Sequence, residues 1–210
     1  MHALEVQRNG VTLIVVGASN ALMFSADVSA MIEEDAATID VRGMIDLGND
    51  RKSHANWLEL EPLRVGDVLN FRFFESEVVT APLQEVATDS EEHIAGQAEY
   101  EELLKSTPMV SRQLDIKQPD ASLQLSIEGS EGITATLESG REFIAFRTLW
   151  NRWNPERCRV SLRSFSQQEA LSRTGGKEWF QGALTVGEQC AVKVGAYPCI
   201  ERLSTRGSSS

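Results

Sequence analysis

Runs of alternating apolar and polar residues recur along most of the chain, and they predict a mainly β protein. A period of two places apolar side chains on one face of a strand, which is typical of an antiparallel sheet with one buried face. Turn residues between the runs favour small sandwiches or barrels. Two short segments, Ala26–Glu34 and Ser166–Ser172, are compatible with helix instead. The ten predicted strands are residues 3–8, 11–17, 22–30, 37–46, 67–75, 122–127, 132–138, 143–149, 157–164 and 188–195.

One motif occurs twice: a tryptophan, then Leu-x-Val-Gly followed by an acidic residue, then an alternating run. Trp57 precedes Leu63–Asp67 in the first occurrence, and Trp179 precedes Leu184–Glu188 in the second. Glycine permits a tight turn at this point, and the acidic residue then opens a strand. A one-residue deletion brings the two occurrences into register.

Both motifs are preceded by a similar opening. Leu4 begins a strand that leads through Asn9-Gly10, a strong hairpin signal, and Leu123 begins the corresponding strand. Leu4 lies 53 positions before Trp57, and Leu123 lies 56 positions before Trp179. We therefore predict an internal duplication, with two tandem copies of a small antiparallel β-sandwich or barrel unit joined by an acidic helical linker. The predicted boundaries are 1–84 for copy 1, 85–120 for the linker, 121–203 for copy 2 and 204–210 for a disordered tail.

The linker contains one helical segment. Thr88 and Glu91 have the spacing of a capping box, in which each side chain bonds the backbone amide of the other residue. A helix from about residue 90 to 105 follows, and Pro108 lies just beyond its end. Glutamates dominate this helix, and its apolar residues form no sharp stripe. We therefore expect a solvated helix.

The chain of 210 residues carries a formal net charge of −11, and the charge is unevenly spread. Residues 1–84 hold 6 basic and 13 acidic side chains, residues 85–120 hold 3 and 9, and residues 121–210 hold 11 and 9. A strongly acidic protein is poorly suited to general binding of nucleic acid or of anionic membranes, because both need cations. We therefore expect neither as a partner.

Cysteine usage bears on the compartment. Three cysteines, no apolar stretch of membrane-spanning length and no signal-peptide pattern at the N-terminus predict a cytoplasmic protein with reduced thiols. Cys158 alternates with apolar residues, and Cys190 corresponds to Leu69 in the aligned motifs. Both positions therefore predict a thiol in the core, whereas the sequence around Cys199 is uninformative.

Candidate catalytic and metal-binding groups are scattered along the sequence. His2, His54 and His93 have no neighbours at ligand spacing, and the sequence contains no paired-cysteine pattern, phosphate-binding loop or nucleophile elbow. Carboxylates are plentiful, but in so acidic a chain they are typical of solvated faces. We therefore predict a protein that is not an enzyme and has no metal site and no cofactor.

One stretch of copy 2, residues 147–163, combines five arginines with two tryptophans. This composition is typical of interaction hot spots. Two interpretations are open: the stretch contacts a partner, or its tryptophans fill the core while its arginines pair with acidic parts of the same chain. The last three arginines alternate with apolar positions and so share one strand face. The candidate residues are Trp150, Arg152, Trp153, Arg157, Arg159 and Arg163.

The corresponding stretch of copy 1, from Asp27 to Asp46, is acidic instead. Opposite charge on corresponding faces favours packing between the copies, or head-to-tail association between chains, over nucleic-acid binding. An acidic run in this stretch and the linker glutamates are further candidates for partner binding. These residues are Glu33, Glu34, Asp35, Glu91, Glu92, Glu101 and Glu102.

Residues 3–82, with the Asn9-Gly10 opening and the Trp-x5-Leu-x-Val-Gly-Asp motif, resemble a group of short uncharacterised bacterial all-β proteins. In general character the chain also resembles immunity proteins of interbacterial toxin systems, such as those paired with type VI secretion effectors. That resemblance implies a non-enzymatic protein that neutralises a cognate toxin by direct binding. We expect a basic toxin, such as a nuclease, because an acidic surface attracts it. The alternative is a structural or adaptor protein that self-associates through its complementary lobes into a homo-oligomer.

Overall fold

The computed structural model of the chain describes residues 1–31, 37–106, 122–127, 132–136, 140–172 and 175–195. These residues form thirteen strands and two helices. In chain order they are β1 (His2–Arg8), β2 (Val11–Val16), β3 (Ala21–Met31), β4 (Ala37–Gly48), β5 (Arg51–Leu63), β6 (Val68–Glu75), β7 (Gln84–Ala87), α1 (Glu91–Ser106), β8 (Ser122–Ile127), β9 (Ile133–Thr136), β10 (Phe143–Asn151), β11 (Arg157–Phe165), α2 (Gln167–Leu171), β12 (Lys177–Thr185) and β13 (Gln189–Val194).

The strands form two antiparallel sheets, which confirms the prediction of a mainly β protein. Sheet A has the order β2-β1-β6-β13-β8-β9, and sheet B has the order β12-β11-β10-β3-β4-β5-β7. Each sheet is continuous across the two halves of the chain. The halves meet where β6 pairs with β13 in sheet A and where β3 pairs with β10 in sheet B.

The two sheets pack face to face over one hydrophobic cluster. Phe71 of sheet A and Phe146 of sheet B place their ring centroids 4.9 Å apart. Trp57, Leu123 and Ile144 are fully buried in the same cluster, so side chains from both halves fill it. Alternating burial along the strands produces this core, as expected for sheets with one apolar face.

Most predicted strands lie within two residues of their observed bounds, but three strands were not predicted. These are β5, β7 and β12. The helix considered for Ala26–Glu34 is wrong over residues 26–31, because β3 continues as strand to Met31. Residues 32–34 lie outside the described residues. The segment Ser166–Ser172 does contain helix α2, which Ser166 and Glu169 close with a capping box.

The repeated Leu-x-Val-Gly-acid motif forms the same turn in both places. Gly66 and Gly187 have φ angles of 93° and 95°, a conformation that favours glycine. The carboxylate of Asp67 accepts a hydrogen bond of 2.7 Å from the backbone amide of Arg64. A second bond of 2.7 Å joins the amide of Thr185 to the carboxylate of Glu188. In both turns the acidic residue thus satisfies an amide three positions earlier.

Asp67 has more partners than Glu188. Its carboxylate also accepts hydrogen bonds from Arg8 at 2.6 Å and from the side-chain amide of Asn9 at 2.8 Å, and it is buried. Burial raises the pKa of Asp67, but the bonds from Arg8, the Arg64 amide and Asn9 outweigh it and lower the pKa to about 2. The turn of the first half is therefore anchored to β1, whereas that of the second half is exposed.

Two thiols lie in the core. Cys158 and Cys190 are both buried and free, which confirms the positions predicted from the alternation and from the motif alignment. Burial raises the pKa of Cys158 to about 12 and also raises the pKa of Cys190. Neither thiol is therefore a reactive thiolate near neutral pH. Cys199 lies outside the described residues.

We predict that Asp67→Asn lowers the free energy of unfolding by about 1–3 kcal/mol, because buried donors lose a charged acceptor. Glu188→Gln, the matched change in the exposed turn, should cost less. Asp67 has a lowered folded-state pKa, so its contribution is complete above about pH 4 and disappears as pH falls through about 2. The difference in the free energy of unfolding between wild type and Asp67→Asn should therefore become smaller below about pH 4. Urea unfolding at several pH values measures it. Equal losses for the two substitutions would contradict this account.

Candidate partner-binding surfaces

Helix α1 lies on the surface. Every side chain of Glu91–Glu102 is exposed except that of His93, which is half-buried. The Ser90 hydroxyl caps the helix by accepting a hydrogen bond from the His93 amide at 3.2 Å. The predicted pairing of Thr88 with Glu91 is wrong, since the Thr88 hydroxyl bonds the Lys52 carbonyl instead.

The first turn of α1 is attached to the outer face of sheet B. His93 stacks on His54 of β5, with ring centroids 4.9 Å apart. Burial lowers the pKa of His54, and the neighbouring His93 and Arg42 lower it further. Just before the helix, Asp89 forms an ion pair with Arg51 at 2.8 Å. Sequence spacing could not indicate the histidine pair, because 39 positions separate its members.

The predicted linker candidates Glu91, Glu92, Glu101 and Glu102 all lie exposed on α1. Glu99 adds a fifth exposed carboxylate to the same helix. Within the part of the chain that the structure describes, none of these five forms an ion pair. The helix therefore presents uncompensated negative charge to any binding partner.

The centre of the outer face of sheet B holds a charged cluster. Asp27 on β3 forms an ion pair with Arg147 on β10. Arg42 on β4 pairs with Asp40 at 2.8 Å and lies 4.0 Å from Asp27. Burial raises the pKa of Asp40, although Arg42 opposes the shift. Two carboxylates and two guanidinium groups thus compensate one another, which leaves no net charge at the centre of the face.

A second contact between the halves lies at one end of sheet B. The Arg152 guanidinium forms an ion pair with Asp46 at 2.8 Å. Beside it, Trp150 is buried and stacks on Phe24, with ring centroids 4.7 Å apart. Trp150 and Arg152 therefore follow the interpretation in which tryptophan fills the core and arginine pairs with the acidic half.

Three other candidates remain free for contact. Trp153 is 74% exposed, on a turn that the Asn151 side chain holds by accepting bonds from the amides of Trp153 and Asn154. Arg157 and Arg159 are exposed on the outer face of sheet B, and neither has an ion pair among the described residues. We name Trp153, Arg157 and Arg159 the arginine–tryptophan surface. It combines a positive charge of two with a large aromatic side chain.

Arg163 differs from its neighbours on β11. Its guanidinium bonds Glu178 at 2.7 Å and Gln181 at 3.2 Å, both on the adjacent strand β12. It therefore pairs within its own half. The acidic candidates Glu33, Glu34 and Asp35 lie outside the described residues.

No known protein family, curated protein or solved structure matches this chain. Among the described residues, no three histidine, cysteine or carboxylate side chains come together as a metal site would require. In the same part of the chain, no helix is long and apolar enough to cross a membrane.

We predict that Arg147→Glu lowers the free energy of unfolding by about 2 kcal/mol, because it replaces the ion-pair partner of the buried Asp27 by a like charge. Replacing Arg157 and Arg159 together by Glu should change it by less than about 0.5 kcal/mol, as is usual for exposed unpaired side chains. Urea unfolding of the two variants and wild type measures both effects. A large loss in the double variant would show that these arginines do stabilise the fold.

Proposed function

We infer that the chain contains two copies of one unit, at 1–84 and 121–203, joined by an acidic linker at 85–120. The strand orders support this duplication. From the centre outward, sheet A has β6-β1-β2 on one side and β13-β8-β9 on the other, while sheet B has β3-β4-β5 and β10-β11-β12. In chain order, each strand from β1 to β6 thus has a counterpart from β8 to β13. β7 is the only strand of the described residues without one.

The strand registers supply independent support. Leu4 pairs with Phe73, and Leu123 pairs with Val194, so the two openings identified in the sequence have equivalent partners. Ala37 pairs with Leu63, and Cys158 pairs with Leu184, which aligns the leucines of the repeated motif. The sequence motifs alone align Leu4 with Leu123 and Leu63 with Leu184, so the registers agree with that alignment.

The central pairs also fit a twofold relation between the copies. In sheet A, Leu69 pairs with Val192, and Phe71 pairs with Cys190. The motif alignment makes Cys190 the counterpart of Leu69 and Val192 the counterpart of Phe71. A twofold rotation centred at Asn70 would therefore exchange the two pairs. In sheet B, the equivalence of Ala37 with Cys158 extends through the strand registers to β3 and β10. It makes Arg147 the counterpart of Asp27, and these two residues also pair with each other. The two central strands of each sheet are therefore related to each other as the equivalent strands of a twofold-symmetric dimer would be.

A fragment of residues 1–90 tests this duplication. If its unpaired β3 and β6 edges are equivalent to those of the second copy, the fragment should form a homodimer in analytical ultracentrifugation. Asp27 would then face itself, and Asp27→Asn should tighten the dimer by removing the repulsion between like charges. A folded monomer, or a dimer that is insensitive to the substitution, would contradict the duplication.

We propose that the protein is a non-enzymatic binding protein of the bacterial cytoplasm, an immunity protein that neutralises a cognate basic toxin such as a nuclease. The observation that carries the proposal is α1, a sixteen-residue helix whose five glutamates are uncompensated. Most other acidic side chains named above are already paired with arginine or hydrogen-bonded inside the chain. Electrostatic attraction to a basic toxin would therefore be strongest at α1.

The physical basis is charge steering. A nuclease cleft that binds phosphate is basic, and an exposed acidic helix complements it in the sign of its charge. Complementary charge raises the association rate and orients the encounter before close contact forms. The apolar side chains of Ile94 and Tyr100, 58% and 54% exposed on the same helix, would then supply area for a tight complex.

The test uses the toxin encoded beside the gene. Co-expression should rescue cells from that toxin, and the two proteins should co-purify. Replacing Glu91, Glu92, Glu101 and Glu102 by Gln should slow association about tenfold and change dissociation less, because such charges act on the encounter. Added salt should mimic the substitutions, since the Debye length at physiological ionic strength is about 8 Å. Stopped-flow kinetics measures both rates.

The matched control replaces Glu59, Glu75, Glu77 and Glu156 by Gln. These residues are also exposed, lie outside α1 and give the same change in net charge. An equal slowing in both variants would point to overall charge rather than to α1. Failure to bind any protein encoded beside its own gene would count against immunity and favour the structural alternative.

A further inference from the structure

Internal pairing leaves two surfaces of opposite charge on one face of the molecule. The first turn of α1 rests on the outer face of sheet B, at the margin formed by β5 and β7. The arginine–tryptophan surface lies on β11 and the adjoining turn, close to the other margin. The centre between them, with Asp27, Arg42 and Arg147, has little net charge.

We propose that this face docks a second copy of the chain, with α1 of each copy on the arginine–tryptophan surface of the other. The proposal goes beyond toxin binding and needs no toxin. The occupant follows from charge complementarity: the uncompensated carboxylates of α1 match the uncompensated arginines Arg157 and Arg159. Exposed Trp153 meets the exposed apolar side chains of Ile94 and Tyr100 on α1. Tryptophan with arginine is the composition of interface hot spots.

Symmetry selects one orientation. When two sheets stack face to face about a twofold axis parallel to their strands, the strand order of one sheet runs opposite to that of the other. The β5–β7 margin then lies over the β11 margin of the partner, so that both copies make the same two acid–base contacts. A twofold axis across the strands would instead place α1 on α1, where like charges repel.

The face has the area that a stable dimer needs. Seven strands spaced about 4.8 Å apart span about 29 Å, and a nine-residue strand extends about 30 Å. The resulting area of roughly 800 Å² for each partner is that of a standard protein interface.

The test uses reciprocal charge reversal in the full chain. One variant carries Arg157→Glu and Arg159→Glu, and the other carries Glu91→Lys, Glu92→Lys, Glu101→Lys and Glu102→Lys. Wild type should dimerise at low ionic strength and dissociate as salt is added. Each variant alone should be monomeric, because like charges now meet at both contacts. An equimolar mixture of the two variants should form a heterodimer, in which both contacts are restored.

A matched control reverses Arg64 and Lys193 to Glu, both exposed and away from this face, and should dimerise as wild type does. Trp153→Ala should weaken the dimer at least tenfold, as hot-spot truncations do. Sedimentation equilibrium measures all these constants. A wild type that stays monomeric at about 1 mM, a dimer that persists in both reversal variants, or a mixture that stays monomeric would overturn the proposal. None of these outcomes decides whether the protein binds a toxin, because that binding is measured separately with the toxin itself.

Discussion

The pairing of strands across the two halves is the constraint on which the rest of the structure depends. The first half leaves one edge of β6 and one edge of β3 without partners, and an unpaired buried edge costs free energy because its amides and carbonyls lose their hydrogen bonds. β13 and β10 satisfy those edges. The same two pairings bring Phe71 against Phe146 and so create one core from two halves. Backbone hydrogen bonding and apolar burial are therefore formed together.

That junction also determines which charges remain available. Asp27 meets Arg147 because β3 pairs with β10, and Asp46 meets Arg152 because β10 continues into the adjoining turn. These contacts neutralise acidic residues of the first half with basic residues of the second. On the outer face of sheet B, the groups without an ion pair include those that the junction does not reach: the glutamates of α1 at one margin, and Arg157 and Arg159 near the other. The surface charge pattern is thus a consequence of strand pairing.

Local patterns in the sequence predicted local structure well. Alternation located ten of the thirteen strands of the described residues and placed Cys158 and Cys190 in the core. β5 escaped prediction because charged residues interrupt its alternation and three register shifts disturb its pairing with β4. The partners of charged residues were beyond sequence analysis for a different reason. Arg147 and Asp27 are 120 positions apart, so only the strand register shows that they meet.

The two proposals are coupled through α1. A helix that rests on a second copy is covered, so a basic toxin would have to compete for it. By mass action, the toxin prevails once its affinity for α1 exceeds that of the second copy by more than the ratio of their concentrations, and each tenfold advantage corresponds to about 1.4 kcal/mol. Self-association through uncompensated charge is salt-sensitive and modest in strength. A tight toxin complex that also uses apolar contacts would therefore displace the second copy. In the absence of toxin, the dimer would keep α1 covered.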